Sequence, residues 1–166
     1  MDRAAVQKWI DGYELAWRTT GTAAVSELFA DAAEYYVSPW ATPITGHAAI
    51  AAFWEAGRDG PDEPFTMTAE VIAVDGDTAV ARVGVEYLGE SPASWRDLWV
   101  LRFDHTGRCG RFEEWPFAPD QPDGQDHSTT LRRRNDHDEL CEFGHFGPGP
   151  IPLVARVSPP PRRIPL

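Results

Sequence analysis

Apolar side chains recur at helical spacing from the start of the chain. Val6, Trp9, Ile10, Tyr13, Ala16 and Trp17 form one stripe, with Asp11, Glu14 and Arg18 opposite, which predicts an amphipathic helix. Gly21 can end it, and Thr22 can cap a short second helix whose Val25, Leu28 and Phe29 continue the buried side. EYYV is β-prone, so residues 33 to 37 read as a short strand leading into the loop SPWATPITG. After Gly46, HAAIAAFWEA groups Ile50, Phe53 and Trp54 and predicts a third helix ending near Gly57.

From Phe65 the period changes to two. FTMTAEVIAV and TAVARVGVEYLG flank the turn DGD, and SWRDLWVLRF pairs with RCGRFEEWPF across DHTG, two hairpin signals in succession. Helices first and four long antiparallel strands afterwards predict an α+β fold, with the helices packed on one face of a meander. No solenoid-type repeat interrupts this order.

Composition divides the chain near residue 118. All seven Trp lie from Trp9 to Trp115, whereas nine of the fifteen Pro lie from Pro119 onward. Residues 1–118 therefore read as one domain, and residues 119–166 as a Pro-rich tail, disordered or loosely packed. Residues 1 to 118 hold nineteen acidic and nine basic side chains, with no basic stripe. Nucleic acid and anionic membrane surfaces are excluded as partners on that ground. The start has no uninterrupted apolar h-region and no run of eighteen apolar residues exists, so a cytoplasmic protein is expected. Cys109 and Cys141 make no framework and read as reduced thiols.

The order of elements, with YELAW, ELFADAAEYYVSPWATPITGHAAIAAFW and DLWVLRFDHTGRCGRFEEW, resembles the nuclear transport factor 2-like superfamily and within it the SnoaL-like proteins, over about residues 3–118. The resemblance implies a cystatin-like cone, in which a curved antiparallel sheet wraps the N-terminal helices and encloses a pocket. It also implies a small-molecule ligand and allows a homodimer through the sheet. Ketosteroid isomerases of that superfamily would place their oxyanion tyrosine at Tyr13, but their base at Val37 and their oxyanion acid at Trp99. Two of those three roles are empty here, so only Tyr13 carries over.

Within SWRDLWVLRF, Asp97 alternates with Trp95, Trp99, Leu101 and Phe103, so one acid shares a face with three aromatic rings. A desolvated carboxylate there can move protons near neutral pH; equally, it can pair with a neighbouring arginine to close the core. Glu113 and Glu114 must face opposite sides of the last strand. Glu113 shares its face with Arg111, Trp115 and Phe117, Glu114 with Phe112 and Pro116; Glu113 is favoured as the inward one, and whichever of the two faces inward would divide acid and base roles with Asp97.

Tyr13 and Trp17 stand one helical turn apart, as core or as ligand contacts. Tyr35, Tyr36 and Trp40 surround the short strand and its loop, and with Phe53, Trp54, Trp95, Trp99 and Trp115 they are the expected aromatic lining of a pocket. His137, Cys141 and His145 have helical i, i+4, i+8 spacing, but Gly144, Gly147 and Pro148 oppose a helix there, so no metal is expected. No cofactor motif is present. The expected function is cofactor-free acid-base chemistry on an apolar or aromatic small molecule, such as isomerisation, cyclisation, dehydration or hydrolysis. The alternative is a non-catalytic ligand-binding, dimerisation or protein-interaction module.

Overall fold

Asp2 begins the first helix by accepting a hydrogen bond from the Ala5 N–H at 2.8 Å. In the computed structural model, which describes residues 1–58, 62–89, 92–119 and 121, helix α1 spans Arg3–Trp17 and buries the six stripe residues read from the sequence. Gly21, at φ 80°, lets the chain turn back after the helix. Helix α2 (Val25–Leu28) follows, with Ala24 rather than Thr22 at its N-cap and no side-chain cap. The Trp9 indole N–H donates to the Leu28 carbonyl at 2.8 Å and ties the two helices together.

Strand β1 (Phe29–Tyr36) starts four residues earlier than its β-prone centre suggests, and the following loop contains a two-residue strand, β2 (Ile44–Thr45). Helix α3 (His47–Gly57) is anchored where the His47 Nε2 meets the Phe29 carbonyl at 2.8 Å. Strands β3 (Phe65–Asp75), β4 (Thr78–Tyr87), β5 (Ala93–Phe103) and β6 (Cys109–Phe117) form the expected antiparallel meander. The sheet order is β2-β1-β6-β5-β4-β3, and β1 lies parallel to β6. The sheet is thus antiparallel except at that one junction, and it is curved and unclosed. Apart from Gln121, the described residues fall in one compact unit.

One face of the sheet buries Ala79, Ala81, Val83, Val85, Trp99, Leu101 and Phe112 together with the α1 stripe and Trp54. Each large buried side chain adds roughly 1.5–3 kcal/mol relative to exposure, so this face is the main source of stability. The open edge of β3 is covered by α1 through arginines. Arg3 donates to the Val71 and Ile72 carbonyls, and Arg18 donates to the Phe65 carbonyl at 2.9 Å while lying 3.8 Å over the Phe65 ring.

Arg58 is 3% exposed and gathers the chain leaving α1: its guanidinium donates to the Thr19 carbonyl at 2.8 Å and to the Gly21 carbonyl at 2.6 Å. Those carbonyls lie past the end of the helix, where intrahelical donors run out. Arg58→Met keeps the stem and removes the donors, and is expected to destabilise the fold by about 2–3 kcal/mol in urea titrations. An unchanged midpoint would show that the guanidinium does not hold this junction.

Candidate functional site

Alternation along β5 turns Trp95, Asp97, Trp99, Leu101 and Phe103 inward and Arg96 and Arg102 outward. Asp97 is 2% exposed, and both its carboxyl oxygens are buried. On β6 the register pairs Leu101 with Phe112 and Trp99 with Glu114. Residues directly opposite share a face, so Glu114 must point inward, and it is fully buried. The expectation for Glu113 is therefore reversed. Glu113 faces outward, bound to the Arg111 Nε at 2.7 Å.

The phase of β6 follows from its register with β5, where an irregularity between Arg102 and Phe103 sets Cys109 opposite Phe103. Trp115 is carried to the outer face along with Glu113. Tyr36 is there too, under the Arg111 guanidinium at 4.3 Å and donating to Glu34 at 3.2 Å. Trp40, in a turn closed from Ala41 N–H to the Ser38 carbonyl, is 97% exposed. Tyr36, Trp40 and Trp115 thus do not line the interior that the other aromatics share.

Around Glu114 the aromatic groups converge. Tyr35 donates to Glu114 Oε2 at 3.2 Å, and the Tyr13 and Tyr35 hydroxyls meet at 2.9 Å. Since the Tyr35 proton goes to Glu114, Tyr13 is the donor in the second bond. Phe112 stacks on Tyr13 with centroids 5.7 Å apart and packs against Tyr35 and Trp99. Trp54 lies 5.0 Å from Tyr13 and 5.4 Å from Trp17, and the half-buried Phe53 packs 5.5 Å from Tyr35. Tyr13, Trp17, Tyr35, Phe53, Trp54, Trp95, Asp97, Trp99 and Glu114 are therefore brought to the inner face of the fold.

Glu114 is held well above the ordinary carboxyl range, first by burial and then by the charge of Asp97. The Tyr35 hydrogen bond opposes this, as does the Trp99 indole N–H, which approaches Glu114 without reaching full hydrogen-bond geometry. The Tyr13 and Tyr35 hydroxyls are raised by burial and then by Glu114, so both remain protonated donors. Asp97 and Glu114 sit diagonally across the β5–β6 pair, a relation worth about 7–8 Å between backbones. Two acids in one apolar enclosure favour a single negative charge, with Glu114 as the neutral member.

One inward residue escapes a reading centred on the aromatic strands. Tyr87 is 6% exposed, its hydroxyl is buried, and the groups acting on it after burial are Glu63, Tyr13, Glu114 and Asp97. Its signal in the sequence is the two-residue alternation Ala79, Ala81, Val83, Val85, Tyr87. A groove of ≈ 380 Å³ lies on the opposite face, over Gly84, between Thr66, Thr68, Glu70, Arg82 and Arg96. None of the inward acids or tyrosines lines it.

Cys109 is a buried thiol whose pKa burial pushes up to about 12. Among the described residues no group of three or more His, Cys, Asp or Glu side chains is placed to hold a metal ion. His137, Cys141 and His145 lie outside the described residues. No helix among the described residues is long and apolar enough to cross a membrane.

A helix-backed, curved, unclosed sheet with this order of elements is the nuclear transport factor 2-like fold. Residues 6–114 match the SnoaL-like domain, and the chain belongs to that family. A solved structure described as the epoxide hydrolase/cyclase-like enzyme SalBIII, with a role in pyran ring formation in the polyether salinomycin, is similar at 13% identity. The likeness covers 70% of this chain and 93% of that one with a TM-score of 0.58, and at that identity it is a likeness of fold. No curated protein matches the chain in sequence.

The raised pKa of Glu114 fixes a sign for stability. An acid that is neutral when folded but ionises near 4.5 when unfolded contributes fully below that value, and its contribution falls as pH rises toward the folded pKa. Glu114→Gln, which cannot ionise, is expected to gain stability relative to the wild type as pH rises from acid to alkaline. Denaturant titrations across pH read this directly, and a pH-independent difference would show that Glu114 does not titrate abnormally.

Proposed function

We propose that this protein binds a small, largely apolar, oxygen-bearing molecule on the inner face of its sheet and processes it by cofactor-free acid-base chemistry in the cytoplasm. The observation that carries this reading is the juxtaposition of Asp97 with the fully buried, neutral-favouring Glu114. Asp97 as the carboxylate takes a proton, directly or through one water. Glu114 as the carboxylic acid gives one to the substrate oxygen that gains electron density. Tyr35 holds the Glu114 side chain, and Tyr13 acts through Tyr35 rather than on the substrate. Such a pair suits isomerisation, cyclisation, dehydration or hydrolysis, and the epoxide hydrolase/cyclase-like neighbour supports ring opening or closing within that set.

Two probes test this. Chromanone carries an exchangeable proton beside its carbonyl, and styrene oxide carries an epoxide; deuterium exchange of the first and hydration of the second are both read by proton NMR. The wild type is expected to accelerate at least one of them, and Asp97→Asn to lower that rate by about a hundredfold or more with the fold intact. Equal rates in wild type and Asp97→Asn would remove the role given to Asp97.

A second reading, a module that pairs with itself through the outer sheet face, is favoured by one observation. The cross-strand rows there set half-buried Leu98, Val100 and Trp115 at the centre, with Arg82, Arg96 and Arg111 around them. An aromatic centre inside an arginine rim has the composition of a protein interface. Leu98→Asp is expected to convert a dimer to monomer in sedimentation velocity. A wild type that sediments as a monomer contradicts this second reading.

A further inference from the structure

Donors without acceptors are concentrated on the inner face. The indole N–H groups of Trp17, Trp54 and Trp95 and the Tyr87 hydroxyl are all buried with no hydrogen-bond partner among the described residues. Buried polar groups in native proteins are paired in the large majority of cases, so four orphaned donors in one interior point to a partner that enters it. An indole N–H only donates. A partner that fits them is therefore a hydrogen-bond acceptor.

Two of the four belong together. The β4–β5 register pairs Val85 with Trp95 and Tyr87 with Ala93, so Tyr87 and Trp95 are diagonal neighbours on the inner face, about 7–8 Å apart at the backbone and within reach of long side chains. Asp97 is the next inward residue after Trp95. The surroundings are apolar: the buried Val83 and Val85 lie opposite Asp97 and Trp95, and the Phe65 ring lies 5.6 Å from that of Tyr87. Glu63 and Asp97 act on the Tyr87 hydroxyl and disfavour an anion there, while a cation brings no lone pairs to N–H and O–H donors. A neutral carbonyl or ether oxygen satisfies every one of these conditions.

We infer that the Tyr87 hydroxyl and the Trp95 indole N–H form a donor pair that holds a carbonyl or ether oxygen of a neutral ligand beside Asp97, making Tyr87 a specificity-determining residue. The inference rests on the inner face being the ligand site, as proposed above. It adds a second polar anchor, separate from Glu114, and so selects ligands with two oxygens on an apolar skeleton over ligands with one or none.

Chromanone, with a carbonyl and a ring ether, and tetralin, a hydrocarbon of the same bicyclic size, separate the alternatives. Their equilibrium binding is followed by tryptophan fluorescence. Tyr87→Phe is expected to weaken chromanone about tenfold, to leave tetralin unchanged, and to leave the melting temperature of the free protein equal or higher, because it deletes only an orphaned hydroxyl. Equal chromanone affinity in the two proteins would mean that the hydroxyl serves water alone and would overturn the inference. So would a parallel loss of tetralin, a lowered melting temperature, or failure of chromanone to bind the wild type. Weakened binding in Tyr87→Phe alongside unchanged turnover in Asp97→Asn would uphold this anchor while removing the catalytic reading.

Discussion

A carboxyl group with no solvent exposure and no arginine against it among the described residues stays in a native core by remaining neutral, and Glu114 is such a group. The surrounding arrangement is the consequence. Tyr35 spends its proton on Glu114, Tyr13 spends its own on Tyr35, and Phe112 stacks between the tyrosines and Trp99. A second acid, Asp97, one inward position before Trp99 on β5 and diagonal to Glu114, raises the pKa of Glu114 further. Division of two like groups into acid and base by environment is how one site runs both halves of a proton transfer near neutral pH.

That interior exists because the sheet is curved and its ends are managed locally. The β3 edge meets α1 through Arg3 and Arg18, and the far side is extended by β1, which returns from the N-terminal segment to lie parallel to β6. Arg58 fixes the turn after α1 and so the placement of Tyr13 and Trp17, the last inward aromatic residues of that helix. Helix position, and with it the Tyr13–Tyr35–Glu114 chain, therefore depends on a guanidinium remote in sequence from all three.

Much of the architecture was legible in the residues because two periodicities are strong. The α1 stripe, the third helix and both hairpins follow from spacing alone. Strand β1 begins earlier than expected because its Ala-rich first half has little β-propensity; Phe29 pairs with Cys109 of β6, and an irregularity separates that pair from the regular pairing that resumes at Glu34. Strand β2 is too short to show a period. Asp97 was found because its neighbours at two-residue spacing are all large and apolar. The phase of β6 could not be found that way, since both its faces carry aromatics; it follows from the β5–β6 register, which puts Glu114 inward and Glu113 on Arg111. Aromatic neighbours in sequence likewise do not mark the inward residues: Tyr36, Trp40 and Trp115 lie outside the interior, and Tyr87 faces inward from a row that is otherwise small and aliphatic.

Glu114 is then a neutral acid, kept so by burial and by the charge of Asp97. Infrared spectroscopy of the carboxyl stretch measures it most directly. At neutral pH the wild type should show a protonated carboxylic acid band that is missing in Glu114→Gln, and in Asp97→Asn the band should disappear at a lower pH than in the wild type. A wild-type spectrum at neutral pH with ionised carboxylates alone, or a band unmoved by Asp97→Asn, would contradict the account.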